Sequence, residues 1–151
     1  MKDKKLLVQV LKLASGKSLQ FKDFAGNKII LYFYPKDNTP GCTTQALEFT
    51  QLKKAFNKLG YNIYGISRDS VASHDKFVCQ HNLEIELISD PDETLCKAFD
   101  VIKEKNMYGK KVLGIERSTF VLNEKIEVVH EFRKVKALGH AETVLKFLQD
   151  Q

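Results

Sequence analysis

Cys42 is the residue best placed for chemistry. It follows the run Tyr34-Pro35-Lys36-Asp37-Asn38-Thr39-Pro40-Gly41. Pro35 and Pro40 exclude strand and helix in turn, so the chain must pass through a tight, rigid loop. After Gly41 the apolar residues Phe49, Leu52, Phe56 and Leu59 recur at spacings of three and four, with Ala46 and Ala55 on the same side. That period predicts a helix. Cys42, seven residues before Phe49, falls on its inward face in the first turn. Unpaired amide N–H groups and the positive end of the helix dipole favour thiolate over thiol there. Thr39 offers a hydroxyl to the sulfur or to an oxygen bound beside it. Taken alone, Cys42 reads equally well as a buried structural cysteine. The rigid loop and the hydroxyl favour a reactive one.

Pro35, Thr39 and Cys42 match the Pro-x-x-x-Thr-x-x-Cys signature of the peroxiredoxins. The longer string from Tyr32 to Cys42 resembles the bacterioferritin-comigratory-protein branch, also called peroxiredoxin Q. The resemblance recurs at Gly65-Ile66-Ser67, Leu87-Ile88-Ser89-Asp90, Asn106-Met107-Tyr108-Gly109-Lys110 and Gly114-Ile115-Glu116-Arg117-Ser118-Thr119-Phe120. It covers most of the chain in the family order. The Ala-Pro-x-Phe element that family members carry near the start is absent.

The resemblance implies a thiol peroxidase. Cys42 would attack hydrogen peroxide or an organic hydroperoxide and become a sulfenic acid. A second thiol would form a disulfide with it, and thioredoxin or a similar dithiol protein would reduce that disulfide by exchange. Arg117 matches the family's arginine beside the peroxidatic cysteine. On its own it reads as an edge arginine in a surface ion pair, yet a fixed guanidinium would both favour the thiolate and bond the peroxide oxygens. The resolving thiol is less determined. The position five residues after Cys42, where many members of the branch carry a cysteine, is Leu47. Others use the next helix, which holds Cys79. On that helix Val71, His74, Phe77 and Val78 share a face and Cys79 lies round from it, toward solvent. Cys79 ranks first, an external thiol second, and Cys96, expected to be a packed small hydrophobe, last.

The elements that must position these residues follow from pattern. Lys28-Ile29-Ile30-Leu31-Tyr32-Phe33-Tyr34 reads as a central strand buried on both faces. Leu6 to Leu13 alternates as a strand, Ser15-Gly16-Lys17 is a turn, and Ser18 to Phe21 returns as a hairpin. The Cys42 helix stops at Gly60, and Tyr61 to Ile66 is the next strand, parallel to the first. Ser70 caps a helix to about Asn82, Leu87 to Ser89 is a short strand, and Asp90-Pro91-Asp92-Glu93 starts a helix with Pro91 in its first position. Val101 to Leu113 has no clean period and reads as a long connection. Arg117 to Leu122 and Ile126 to Phe132 form a second hairpin, and Ala141 to Leu148 closes the chain as a helix. Pattern supports an α/β protein with a mixed sheet. The resemblance makes it a thioredoxin-like fold with an N-terminal hairpin extension, one domain over residues 1–151.

Composition excludes several other classes. The chain has 151 residues, 43% hydrophobic, with a net charge of +5 spread over scattered lysines. No basic block suggests nucleic acid. No run approaches the roughly 20 apolar residues that span a bilayer. Lys2, Lys4 and Lys5 precede Leu6-Leu7-Val8, but Gln9 and Lys12 interrupt that run, so no signal peptide is read. Three cysteines fit a reducing compartment, and a cytoplasmic monomer is expected. No cofactor is called for. His74, His81, His130 and His140 form no Cys-x-x-Cys or His-x-x-x-His pair, so no metal is expected. Cys-Thr-Thr-Gln at Cys42 lacks the second cysteine of a thioredoxin-type reductase. A redox sensor remains the other class, and steady peroxide turnover separates it from an enzyme.

Overall fold

The computed structural model of the protein describes residues 4–151, apart from the side chain of Met107. Lys2 of the leading lysines lies outside them. The chain runs α1 (Lys4–Leu7), β1 (Val10–Leu13), β2 (Ser18–Gln20), a 3-10 turn at Phe21–Phe24, then β3 (Lys28–Phe33) and α2 (Pro40–Lys58). Next come β4 (Tyr61–Ser67), α3 (Val71–His81), β5 (Glu86–Ser89) and α4 (Thr94–Ala98). The last part is β6 (Ile102–Met107), β7 (Lys110–Ile115), β8 (Ser118–Leu122), β9 (Val128–Phe132) and α5 (His140–Gln149).

Seven strands form one mixed sheet in the order β2-β1-β5-β4-β3-β8-β9. β3, β4 and β5 are parallel, whereas β8 runs antiparallel to β3 and β1 to β5. The apolar run of β3 is continuous because both faces are covered. Ile29, Leu31 and Phe33 point into one core, with Phe21, Phe24, Leu95, Cys96 and Phe99. Ile30, Tyr32 and Tyr34 point into the other, with Cys42, Phe49, Phe56 and Phe77. Thus α2, α3 and α5 pack on one face, α1 and α4 on the opposite one. Gly65 of β4 admits the ring of Tyr32: a Cβ there would lie 2.7 Å from Tyr32 Cζ and 2.8 Å from Leu87 Cδ2.

The expected central strand, crossover, N-terminal hairpin and closing helix are all present. Ser70 caps α3 by accepting from the Ser73 N–H at 3.1 Å, and Asn82 ends it in the left-handed region. Four expectations need correction. The strand begins at Val10, not Leu6, because residues 4–7 wind into α1, which buries Leu6 in the first core. Pro91 lies ahead of α4, whose first turn is instead held by the Asp90 carboxylate, accepting from the Leu95 and Cys96 N–H groups. The supposed connection from Val101 to Leu113 is a separate two-stranded ribbon, β6–β7, turned at Tyr108 and Gly109, both with positive φ. Most of β7 is exposed, so burial imposes no alternation there. Ile126, with φ 58°, belongs to the second hairpin's turn, and β9 starts at Val128. Among the described residues no helix is long and apolar enough to cross a membrane.

Candidate active site

The Tyr34 N–H donates to Ile66 O at 3.0 Å, which keeps the chain in the sheet one residue beyond β3. The loop then turns through Pro35 to Thr39, with Asn38 at φ 60°. Thr39 is the extended residue before α2, and Pro40 takes the first helical position, where its missing N–H costs nothing. Cys42 sits in that first turn, 1% exposed, packed with Ala46 and Phe49. The sequence offered the Thr39 hydroxyl to the sulfur or to an oxygen bound beside it; in the structure it does not donate to the sulfur. It donates instead to Lys36 O at 2.9 Å, the local bond to a carbonyl three residues back that threonine commonly makes in a turn.

Arg117 does come to the cysteine. It immediately precedes β8, and its carbonyl accepts from the Val135 N–H at 3.0 Å. Its Nη2 donates to Cys42 Sγ at 3.4 Å. A Cβ on Gly41 would lie 3.2 Å from that Nη2, so glycine there lets the guanidinium lie across the helix start. Arg117 and Pro35 also line a cleft of about 360 Å³, with Lys105, Glu116, Lys134 and Val135 on its walls.

The other two thiols stand apart. Cys79 is exposed on α3, as its helical phase predicts, with its Sγ 3.9 Å from Asp75 Oδ1. Cys96 is buried in the opposite core, and burial, then the neighbouring Asp90 charge, pushes its thiol well up. All three cysteines are free.

The model of the AhpC/TSA family matches residues 4–131. The chain belongs to the AhpC/TSA family. Within it the chain is 55% identical over 139 residues to the peroxiredoxin Bcp of Xanthomonas campestris, spanning 92% of this chain and 87% of the relative. The peroxiredoxin Bcp of Bacillus subtilis is 44% identical over 93% of this chain and 89% of its own length. A solved structure of the Xanthomonas campestris bacterioferritin comigratory protein, a study of its alkyl peroxide reduction activity, superposes with a TM-score of 0.92 at 51% identity, covering 98% of this chain and 94% of that one. This peroxiredoxin is therefore a thiol peroxidase, acting on peroxide with a thiol reductant.

Sequence reasoning missed three polar features of the peroxiredoxin site. Gln45 is fully buried; its Oε1 accepts from Arg117 Nη1, and its Nε2 has no partner among the described residues. The available signal was a polar residue three positions after Cys42, on the inward stripe of α2. Lys105 was read as part of a loop. Its stem lies across Gly114, its Nζ donates to Ile115 O, and burial, then the Arg117 charge, pushes its amine down. Asp37, Asp69 and His74 each bring one potential ligand atom within 4.8 Å of the others. Asp37 and His74 bond each other directly, and Asp69 accepts from the Asp37 N–H and the Ser67 hydroxyl.

Proposed function

We propose that Cys42 is the peroxidatic thiol and that Arg117 serves the same step. The observation that carries this reading is the guanidinium donating to a buried sulfur in the first turn of α2. The thiolate attacks the terminal oxygen of a hydroperoxide. An S–O bond forms and the O–O bond breaks. The electron pair goes to the leaving oxygen, which takes a proton and departs as water or an alcohol, and Cys42 is left as sulfenic acid. Charge moves from sulfur to oxygen in this step. A guanidinium cannot lose its own charge and can bond both atoms from one plane, which stabilises the transition state more than the resting thiolate. Thr39 turns its hydroxyl from the Lys36 carbonyl to the bound peroxide, and Pro35 is the rigid wall beside it. Hydrogen peroxide and organic hydroperoxides are the substrates; the alkyl peroxide reduction studied in the Xanthomonas campestris relative supports the second class.

Cys79 resolves the sulfenic acid. α3 packs in the same core as Cys42, while Cys96 is across the sheet and is a poor nucleophile with its thiol pushed up. The disulfide is then reduced by a dithiol protein of the thioredoxin type. The chain works as one domain and as a monomer, in the cytoplasm, where free thiols persist. Replacing Cys42 by Ser tests the assignment. The fold is kept, but a hydroxyl un-ionised near pH 7 is a poor nucleophile, so thioredoxin-coupled NADPH consumption falls by at least about 100-fold. Turnover within about tenfold of wild type, some 1.4 kcal/mol in barrier, contradicts it.

A further inference from the structure

The loop before Cys42 is fastened to α3 by a buried polar network that the peroxide chemistry does not use. Asp37 is its centre. The Tyr34 hydroxyl donates to Asp37 Oδ1 at 2.6 Å, and the Ser73 hydroxyl to Oδ2 at 2.8 Å. His74 Nδ1 lies 2.7 Å from the same Oδ2, and His74 Nε2 lies 2.9 Å from Ile88 O. The two side chains are 2% and 0% exposed. A carboxylate and a backbone carbonyl can only accept, so both ring nitrogens must donate. The Tyr34 proton is already given to Asp37. His74 is therefore an imidazolium against the Asp37 carboxylate. Two further bonds join the same segments. The Asp37 N–H donates to Asp69 Oδ2 at 2.9 Å, in the turn leading to α3. At the far end of α3, His81 Nε2 lies 2.9 Å from Asn38 Oδ1.

We propose that Asp37 and His74 are positioning residues that latch the cysteine loop to α3 and so set the rate of disulfide formation. The proposal rests on Cys79 being the resolving thiol. Cys42 is buried and Cys79 faces solvent on α3, so the two sulfurs meet only if the loop and α3 move against each other. A buried ion pair with complete hydrogen bonding resists that motion, because separating it strands two charges. The latch holds Cys42 beside Arg117 for the peroxide and delays its exit afterwards. Once out, the Cys79 thiolate attacks the Cys42 sulfenic sulfur. The S–S bond forms, the S–O bond breaks, and hydroxide leaves as water with the thiol's proton. No further oxidant is needed.

Asp37→Asn tests this. The amide keeps the shape and can donate to a neutral His74, but it removes the charge. Peroxide is mixed with the reduced variant and quenched with an alkylating agent, and sulfenic acid, disulfide and sulfinic acid at Cys42 are counted by mass spectrometry. Disulfide formation is expected to be faster by about tenfold, the loss of one charge-assisted hydrogen bond. Over-oxidation to sulfinic acid at high peroxide falls in proportion, and His74→Gln shifts both in the same direction. A merely structural role would slow every step instead. Unchanged or slower disulfide formation overturns the latch. Failure of the underlying reading looks different: wild type would form no intramolecular disulfide, or Cys79→Ser would still form one at Cys42. If neither variant folds, amide exchange of wild type decides. One common opening free energy for residues 34–42 and 71–81 supports the latch, and separate ones overturn it.

Discussion

Arg117 meets Cys42 through one nitrogen and Gln45 through another, so it is held from both sides. The role proposed for the guanidinium is to stabilise the transferring oxygen, apart from any effect on thiol ionisation. Arg117→Met removes it. Oxidation is measured at alkaline pH, so that ionisation does not decide the comparison. The rate of Cys42 oxidation is expected to remain slower by on the order of 10- to 100-fold, as for loss of one charged donor at a developing oxyanion. Coincident rates at that pH would mean that the arginine acts only on ionisation. The same substitution leaves the buried Gln45 amide without its remaining partner, at a cost of about 1–3 kcal/mol, which a thermal melt reads.

At the scale of elements, α2 buries the proposed nucleophile and α3 exposes its proposed partner. Cys79→Ser is therefore expected to take up the first equivalent of peroxide at the wild-type rate and then stall. Sulfenic acid accumulates, over-oxidation rises, and turnover with thioredoxin drops by at least about tenfold. Undiminished turnover would leave an external thiol as resolver. The faces of these helices were legible from sequence because burial enforces the period: His74 and Phe77 are buried and Cys79 exposed where the phase put them. The β6–β7 ribbon was not legible, since most of β7 faces solvent and no face repeats. Pro91 misled because the Asp90 carboxylate holds α4 from outside the helix, a contact that propensity does not encode. At the site, the wider family resemblance pointed to Arg117 as the arginine beside Cys42, and its guanidinium does reach the sulfur. Gln45, Lys105 and the Asp37–His74 pair were missed because their partners lie far away in sequence.

For the whole molecule, the sheet divides the chemistry: Cys42, Arg117 and His140 lie toward α2 and α5, Cys96 toward α4. Burial, then the Arg117 charge, lowers His140 to about 4, and its Nε2 lies 2.7 Å from the Thr119 hydroxyl. The unfolded chain takes up this proton first, near pH 6.5, so the contribution of His140 to stability falls as pH drops from about 6.5 to about 4 and is constant below. It amounts to roughly 3 kcal/mol. Burial acts to raise Asp37, but its bonds to His74, Tyr34 and Ser73 outweigh it and hold the carboxyl below 3.8, so its contribution is present above that pH and lost in stronger acid. Urea unfolding of His140→Gln against wild type is expected to lose the slope between pH 6.5 and 4 only; parallel curves there would contradict it. The central claim, that Cys42 is the atom that meets peroxide, is tested most directly by trapping. Cys79→Ser is given one equivalent of hydrogen peroxide with dimedone present and mapped by mass spectrometry. The account predicts a single sulfenic adduct, on Cys42. An adduct on Cys96, or none on Cys42 while peroxide is consumed, would contradict it.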